Sequence, residues 1–235
     1  MITPKQNQIY NFIYIFFLVA NILACNQNEI YNCDTFKIQI DSLKNNQSDT
    51  SKAIRILSNV IENNKDCIDA LLTRADLYFE LDSLDKSESD FNSVLRTDNK
   101  NIYALYQLGI LSSLKEDFKT AISFFTEAIS LKEKNGYIFN FNTKNTEVSA
   151  NRYDIDYIEL IYRLALANYN WKHYSEAYEL YTICIEKKYY LSECLLYRGT
   201  ISIGSANYKE ACEDFKKSAF LGNELAAKYL SKYCK

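Results

Sequence analysis

Glycine and proline are scarce in this chain, with five Gly and one Pro among 235 residues. So few turn-formers cannot serve the many tight reversals of a β-sandwich or barrel. Histidine is scarcer still, with a single residue, His173. Without a second His, a C-x-x-C or an H-E-x-x-H, a zinc or metal-hydrolase site lacks raw material. None of the glycines falls in a GxGxxG or GxxxxGK pattern, which excludes the common phosphate-cradling loops, and no nucleophile elbow is present. No run of Lys or Arg stands out and the net charge is −3, so the electrostatic footprint of a nucleic-acid binder is missing. These absences predict a chain with no catalytic residue, no cofactor, no metal and no nucleic-acid partner. His173, beside Trp171 and Tyr174, reads as a turn residue, and carboxylate pairs such as Glu80 and Asp82 read as solvated charge.

What is present has the balance of a globular protein, 48% apolar and 24% charged. The N-terminus differs from the rest. After MITPKQNQ the apolar run from Ile9 to Ala24 is 16 residues long and carries Asn11 and Asn21, which is short of the roughly 20 that a spanning helix needs. It reads as the apolar region of a signal peptide over residues 1–24. Ile22-Leu23-Ala24-Cys25 resembles a bacterial lipobox, in which a small residue precedes a Cys that is acylated and becomes the new N-terminus. Ile22 stands where that motif usually carries Leu. The resemblance implies an exported lipoprotein held on a membrane through lipid at Cys25. An ordinary cleaved signal peptide and an uncleaved anchor are the other readings of the same stretch. Seven Cys are present, and setting Cys25 aside leaves an even number, in keeping with an oxidising location.

The body of the chain repeats. A small residue recurs from Ala75 to Gly109 and from Ala165 to Gly199, each time after 34 residues. A second landmark, Ala53, Ser87 and Ala121, then Ala177 and Ala211, keeps the same 34-residue spacing within each run. An aromatic, Phe91, Phe125, Tyr181 or Phe215, follows four positions after the second landmark. This pattern resembles the tetratricopeptide repeat (TPR). The resemblance implies an all-α fold, an α-α superhelix or TPR solenoid of about five helix-turn-helix repeats with a C-terminal capping helix. The physical reason for repetition is that one helix pair cannot bury its own apolar face, so each pair becomes its neighbour's wall. The repeats are placed at about 34–67, 68–101, 102–135, 158–191 and 192–225, after a linker over 25–33, with a capping helix over 224–235. Asp41 occupies the small-residue place of the first unit, which reads as a degraded cap. The family's Pro near the end of the second helix is absent, with Asn99 in its place in one unit.

Gly109 and Ala165 are 56 apart, 22 more than the repeat, which puts an insertion at about 136–157, overlapping the Asn-rich stretch 132–156. A solvated loop and a segment that folds over the groove or touches a partner are its two readings. The pair Cys33 and Cys67 are 34 apart and so take equivalent places in successive units. With helices packed ~8–10 Å apart and a disulfide needing Cα atoms within ~7 Å, this pair is expected not to bridge. The closing run from Ala211 to Cys234 resembles the end of TPR proteins of Bacteroidetes-like bacteria, in which both Cys recur. That resemblance, and the placing of Cys212 on the last second helix beside the capping helix, predict a Cys212–Cys234 disulfide. Cys184 and Cys194 form a weaker candidate pair.

The family's groove positions, carried over one at a time, are Leu72, Thr73 and Asp76, then Tyr106, Gln107 and Ile110, then Tyr162, Arg163, Leu166 and Tyr169, and finally Leu196, Tyr197 and Thr200. They are aromatic and aliphatic more than basic, and the Lys and Asn set of a carboxylate clamp is missing. The expected partner is a protein or peptide segment with apolar anchors rather than an acidic tail. The expected role is a non-enzymatic scaffold at the cell envelope. The alternatives are a dedicated lipoprotein subunit of an outer-membrane assembly or secretion machine, and a small-ligand or catalytic site under residues 132–156.

Overall fold

A computed structural model describes Cys33 and residues 47–134 and 153–234. Cys25, the apolar N-terminal run, Asp41 and most of the 136–157 insertion lie outside the described residues. Among the described residues there are ten helices and no strand. They divide into two compact units, one ending at Arg74 and one beginning at Ala75. None of these helices is long and apolar enough to cross a membrane.

The first unit contains α1 (Gln47–Asn63) and the start of α2 (Ile68–Glu80). On α1, Ala53, Ile56, Leu57 and Val60 are buried, a spacing that gathers apolar side chains on one helical face. Arg74 donates through Nη1 to Ser58 Oγ at 2.9 Å. Cys33 and Cys67 are joined by a disulfide with Cα atoms 5.7 Å apart, which corrects the expectation that they stay apart. The helix-spacing argument fails because neither residue is helical: Cys33 lies in a turn and Cys67 precedes Ile68. Two turn residues can approach more closely than two helix axes.

The second unit is a run of helix pairs. They are the end of α2 with α3 (Leu84–Thr97), α4 (Ile102–Leu114) with α5 (Phe118–Lys134), α6 (Tyr157–Asn170) with α7 (Tyr174–Glu186), and α8 (Leu191–Gly204) with α9 (Tyr208–Phe220). The helix α10 (Glu224–Tyr233) closes the run. Each helix from α3 onward packs on the next one, and the first helices α4 and α6 also touch.

Every second helix buries the same stripe, with steps of four and then three residues. It reads Ser87, Phe91 and Val94 on α3, Ala121, Phe125 and Ala128 on α5, Ala177, Tyr181 and Cys184 on α7, and Ala211, Phe215 and Ser218 on α9. The small first-helix residues answer it. A methyl group at Gly109 would lie 2.5 Å from Cε1 of Phe125, and one at Gly199 would lie 2.8 Å from Cε1 of Phe215. Glycine is therefore required by the approach of the ring rather than by a backbone torsion.

Each first helix of these pairs ends in the same way. Asp82, Glu116, Lys172 and Ala206 are left-handed, with φ of 55°, 60°, 64° and 58°. The next amide donates back across five residues, as in Ser83 to Tyr78 O at 2.8 Å and Asn207 to Ser202 O at 2.8 Å. This is a Schellman stop, made here without glycine. His173 follows Lys172 and precedes α7, with its ring 4.0 Å from that of Trp171.

Part of the insertion belongs to the fold. Residues 132–134 are the last of α5. Lys132, 3% exposed, pairs with Asp154, and the Tyr153 ring packs edge-on against Tyr103 at 4.9 Å. At the C-terminal end, Asn223 accepts from Ala226 N at 3.0 Å to start α10. Cys212 and Cys234 form a disulfide with Cα atoms 5.6 Å apart, joining α9 to the residue that ends α10.

Candidate binding surfaces

Built from its residues upward, the first-helix face consists of a packing layer and an accessible layer. Leu72 in the first unit is buried. Its neighbour Thr73 is buried as well and donates to the carbonyl of Asp69 at 2.7 Å. In the second unit Tyr106, Tyr162 and Leu196 are buried too. These side chains hold helices together and offer little surface to a partner. Gln107, Ile110, Arg163, Leu166, Tyr169, Tyr197 and Thr200 keep partial exposure.

Polar contacts link several of these positions. The buried Asp76 carboxylate accepts from Tyr103 Oη at 2.8 Å and from Gln107 Nε2 at 3.4 Å, and Gln107 also donates to Tyr103 at 2.8 Å. Glu159 accepts from Tyr106 at 2.7 Å, from Arg163 Nε at 2.6 Å and from Tyr189. Burial pushes the Glu159 carboxyl up, but the hydrogen bonds from Tyr189, Tyr106 and Arg163 outweigh it and hold the group below the usual carboxylate range. Burial, followed by the Glu159 contact, raises the Tyr106 phenol above its ordinary value. The Thr200 hydroxyl is used locally, donating to Leu196 O at 2.8 Å.

Tyrosines dominate the accessible layer of the last two pairs. Tyr169 and Tyr197 have ring centroids 5.0 Å apart, and Tyr197 stacks on the buried Tyr181 at 5.4 Å and 14°. Tyr162 stacks on Tyr190 at 4.7 Å. The structure thus brings Tyr169 and Tyr197 into one aromatic strip and ties Tyr106 to Arg163 through Glu159. The family positions did not point to Glu159, Tyr103 or Tyr189, although an acid one residue before Leu160 and a Tyr pair after α7 were visible in the chain.

A second surface lies elsewhere. A cleft of about 650 Å³ is lined on α8 by Leu191, Leu195 and Arg198, with Ile185 on α7 and Lys216 and Phe220 on α9. It shares no residue with the groove positions. Arg198 is held by Asp214 through two contacts of 2.8 Å and reaches Thr182 at 3.2 Å.

Cys184 and Cys194 are free thiols, both buried. The Cys194 thiol donates to Tyr189 O at 3.4 Å. Its contact with Cys184, and then burial, push its titration up, so it is not a reactive thiolate. Among the described residues no group of three or more His, Cys, Asp or Glu could hold a metal ion.

Residues 102–135, the pair α4 and α5, match the model of the tetratricopeptide repeat. No match is found among curated proteins. Among solved structures, MamA from Desulfovibrio magneticus is 14% identical, with a TM-score of 0.64 over 81% of this chain and 94% of that one. YrrB, a TPR protein with an unusual peptide-binding site, is 15% identical, with a TM-score of 0.63 over 85% and 99%. PilF of Pseudomonas aeruginosa is 15% identical, with a TM-score of 0.61 over 85% and 83%. At such identities the likeness concerns fold, and the fold is the all-α stack of TPR helix pairs.

Proposed function

We propose that the chain is a non-enzymatic scaffold that binds protein or peptide segments on its first-helix face, exported and held at a bacterial envelope by lipid on Cys25. The observation that carries the binding role is the accessible tyrosine strip of Tyr169 and Tyr197. Aromatic rings on a rigid helix face supply large contact area at small entropic cost. YrrB, a protein of the same fold, has a peptide-binding site. Export is supported by the disulfides Cys33–Cys67 and Cys212–Cys234, because such bonds persist in oxidising compartments. Residues 9–25 supply the apolar run and the Cys that a lipid anchor requires.

Affinity purification of the full chain from detergent-solubilised envelopes tests the role. Partners should be retained by the parent and lost with Tyr169→Ala plus Tyr197→Ala, provided that the variant melts as one cooperative unit. An unchanged partner set would remove the first-helix face from the reading. Metabolic palmitate labelling should mark the parent and vanish with Cys25→Ala, and label persisting in that variant would remove the anchor.

A further inference from the structure

We infer that the cleft between α8 and α9 is a second docking site, built for an acidic amphipathic helix of a partner protein. It lies away from the tyrosine strip. Leu195 and Tyr197 are two residues apart on α8, which turns them about 200° from one another around the helix.

Two stripes line most of the cleft, and Ile185 of α7 and Leu221 complete it. Leu191, Leu195 and Arg198 line it from α8, and Glu213, Lys216, Lys217 and Phe220 line it from α9. Both stripes follow helical spacing over seven residues, which is about 10 Å of axis, or two turns of an incoming helix.

Phe220 is 91% exposed and Leu221 beside it is 48% exposed. Stack packing does not call for this phenylalanine, since the same repeat position holds Arg96, Ser130 and Glu186 in the three earlier pairs. An aromatic ring left in water beside an apolar cleft marks a surface that a partner covers, and a groove of this kind takes the apolar face of an amphipathic helix.

Charge selects the occupant. Arg198 is already neutralised by Asp214. Lys216 and Lys217 are exposed, and among the described residues neither forms an ion pair. The corresponding residues of α7 are Thr182 and Ile183, so the two cations are particular to this pair. Glu213 sits a turn earlier on the same stripe. The partner helix therefore carries apolar residues at i, i+3 or i+4, and i+7, with carboxylates beside the part that meets Lys216, Lys217 and Phe220, and none facing Glu213.

The test uses a fluorescein-labelled, hydrocarbon-stapled helix of about three turns, with leucines on one stripe flanked by glutamates. A second probe has lysines in place of the glutamates. Anisotropy with the full-length chain in mild detergent should saturate for the acidic probe and be at least ten-fold weaker for the basic one. Phe220→Glu should weaken the acidic probe about ten-fold, and Lys216→Glu with Lys217→Glu should reverse the preference between probes. All three positions are exposed, so far-UV melts of these variants should overlay the parent. Equal affinity for the two probes, no saturation, or indifference to these substitutions would overturn the assignment. Loss of acidic-probe binding in Tyr169→Ala plus Tyr197→Ala, with Phe220→Glu silent, would move the probe to the first-helix face and do the same. Light scattering that shows a dimer made monomeric by Phe220→Glu would give the cleft to a second copy of the chain and also overturn it.

Discussion

Tyr106 on α4 donates a 2.7 Å hydrogen bond to Glu159 on α6, across 53 residues of sequence that include the insertion. The same carboxylate gathers Arg163 and Tyr189, so one side chain ties together α4, α6 and the turn that leads into α8.

Replacing this carboxylate reads out its contribution. Glu159→Gln should destabilise the chain by about 2 kcal/mol at pH 7, the scale of hydrogen bonds to a charged, largely buried group. Glu159 titrates below the ordinary range when folded. Its stabilisation is therefore complete above the unfolded carboxyl value of about 4.3 and is lost as pH falls through the depressed folded value. Urea melts of parent and variant should differ at neutral pH and converge only as the pH falls past the depressed folded value. A difference independent of pH would show that the charge is not what matters.

Two buried oxygens lack a hydrogen-bond partner among the described residues, Ser87 Oγ and Tyr181 Oη. Both stand at stripe positions where the other pairs carry Ala or Phe. Ser87→Ala and Tyr181→Phe should each stabilise the fold by about 1 kcal/mol, since an unsatisfied buried polar group costs about that much or more. The check is a rise of a few degrees in Tm for either variant. Tyr181→Phe lowering Tm would mean that the hydroxyl is satisfied in solution.

The close approach at Gly109 makes a prediction of opposite sign. Gly109→Ala gains about 1 kcal/mol of helix propensity but sets a methyl group 2.5 Å from the buried Phe125 ring. Overpacking of about 1–3 kcal/mol should win, giving net destabilisation in denaturant melts. Adding Phe125→Leu should recover much of the loss.

Cysteine chemistry should divide cleanly. Non-reducing peptide mapping is expected to recover Cys33–Cys67 and Cys212–Cys234 as linked peptides and Cys184 and Cys194 as thiols that alkylate only after denaturation. Removing the C-terminal bridge with Cys212→Ser and Cys234→Ser, which opens a loop of sequence separation 22, should cost about 3 kcal/mol.

The stripes of the second helices were legible in the sequence because they are local: one helix turn relates Ala121 to Phe125, and the repeat writes the relation again. The fit of Gly109 against Phe125 is different, because it joins two helices: the sequence marks both positions as landmarks, and only the structure shows that the ring is what meets the glycine. The Cys33–Cys67 bond is not legible from the repeat, because an equal sequence spacing sets the distance between helix axes and residues outside the helices escape that limit. Glu159 is not legible as a hub because only Arg163 is its neighbour on α6, whereas Tyr106 and Tyr189 are brought to it from α4 and from the turn before α8 by tertiary packing. Tyr106, Tyr162 and Leu196 take groove positions by register, yet burial makes them packing residues. Register fixes a side chain's direction and leaves open how closely the next pair covers it.

The left-handed stops of the first helices yield a further expectation. Ala206 is exposed with φ of 58°, and Ala206→Gly should stabilise the fold by roughly 1 kcal/mol, because glycine adopts that region without a Cβ penalty. A chemical-melt midpoint that falls would refute it.

Those four torsions at Asp82, Glu116, Lys172 and Ala206 also mean that every hairpin of the second unit reverses through one shared backbone geometry. The rotation from one first helix into its second is thus encoded by the main chain, ahead of any choice of side chain. Residues on the surfaces of such hairpins are free to diverge between pairs, as Arg96, Ser130, Glu186 and Phe220 do, without disturbing the angle at which the next helix arrives.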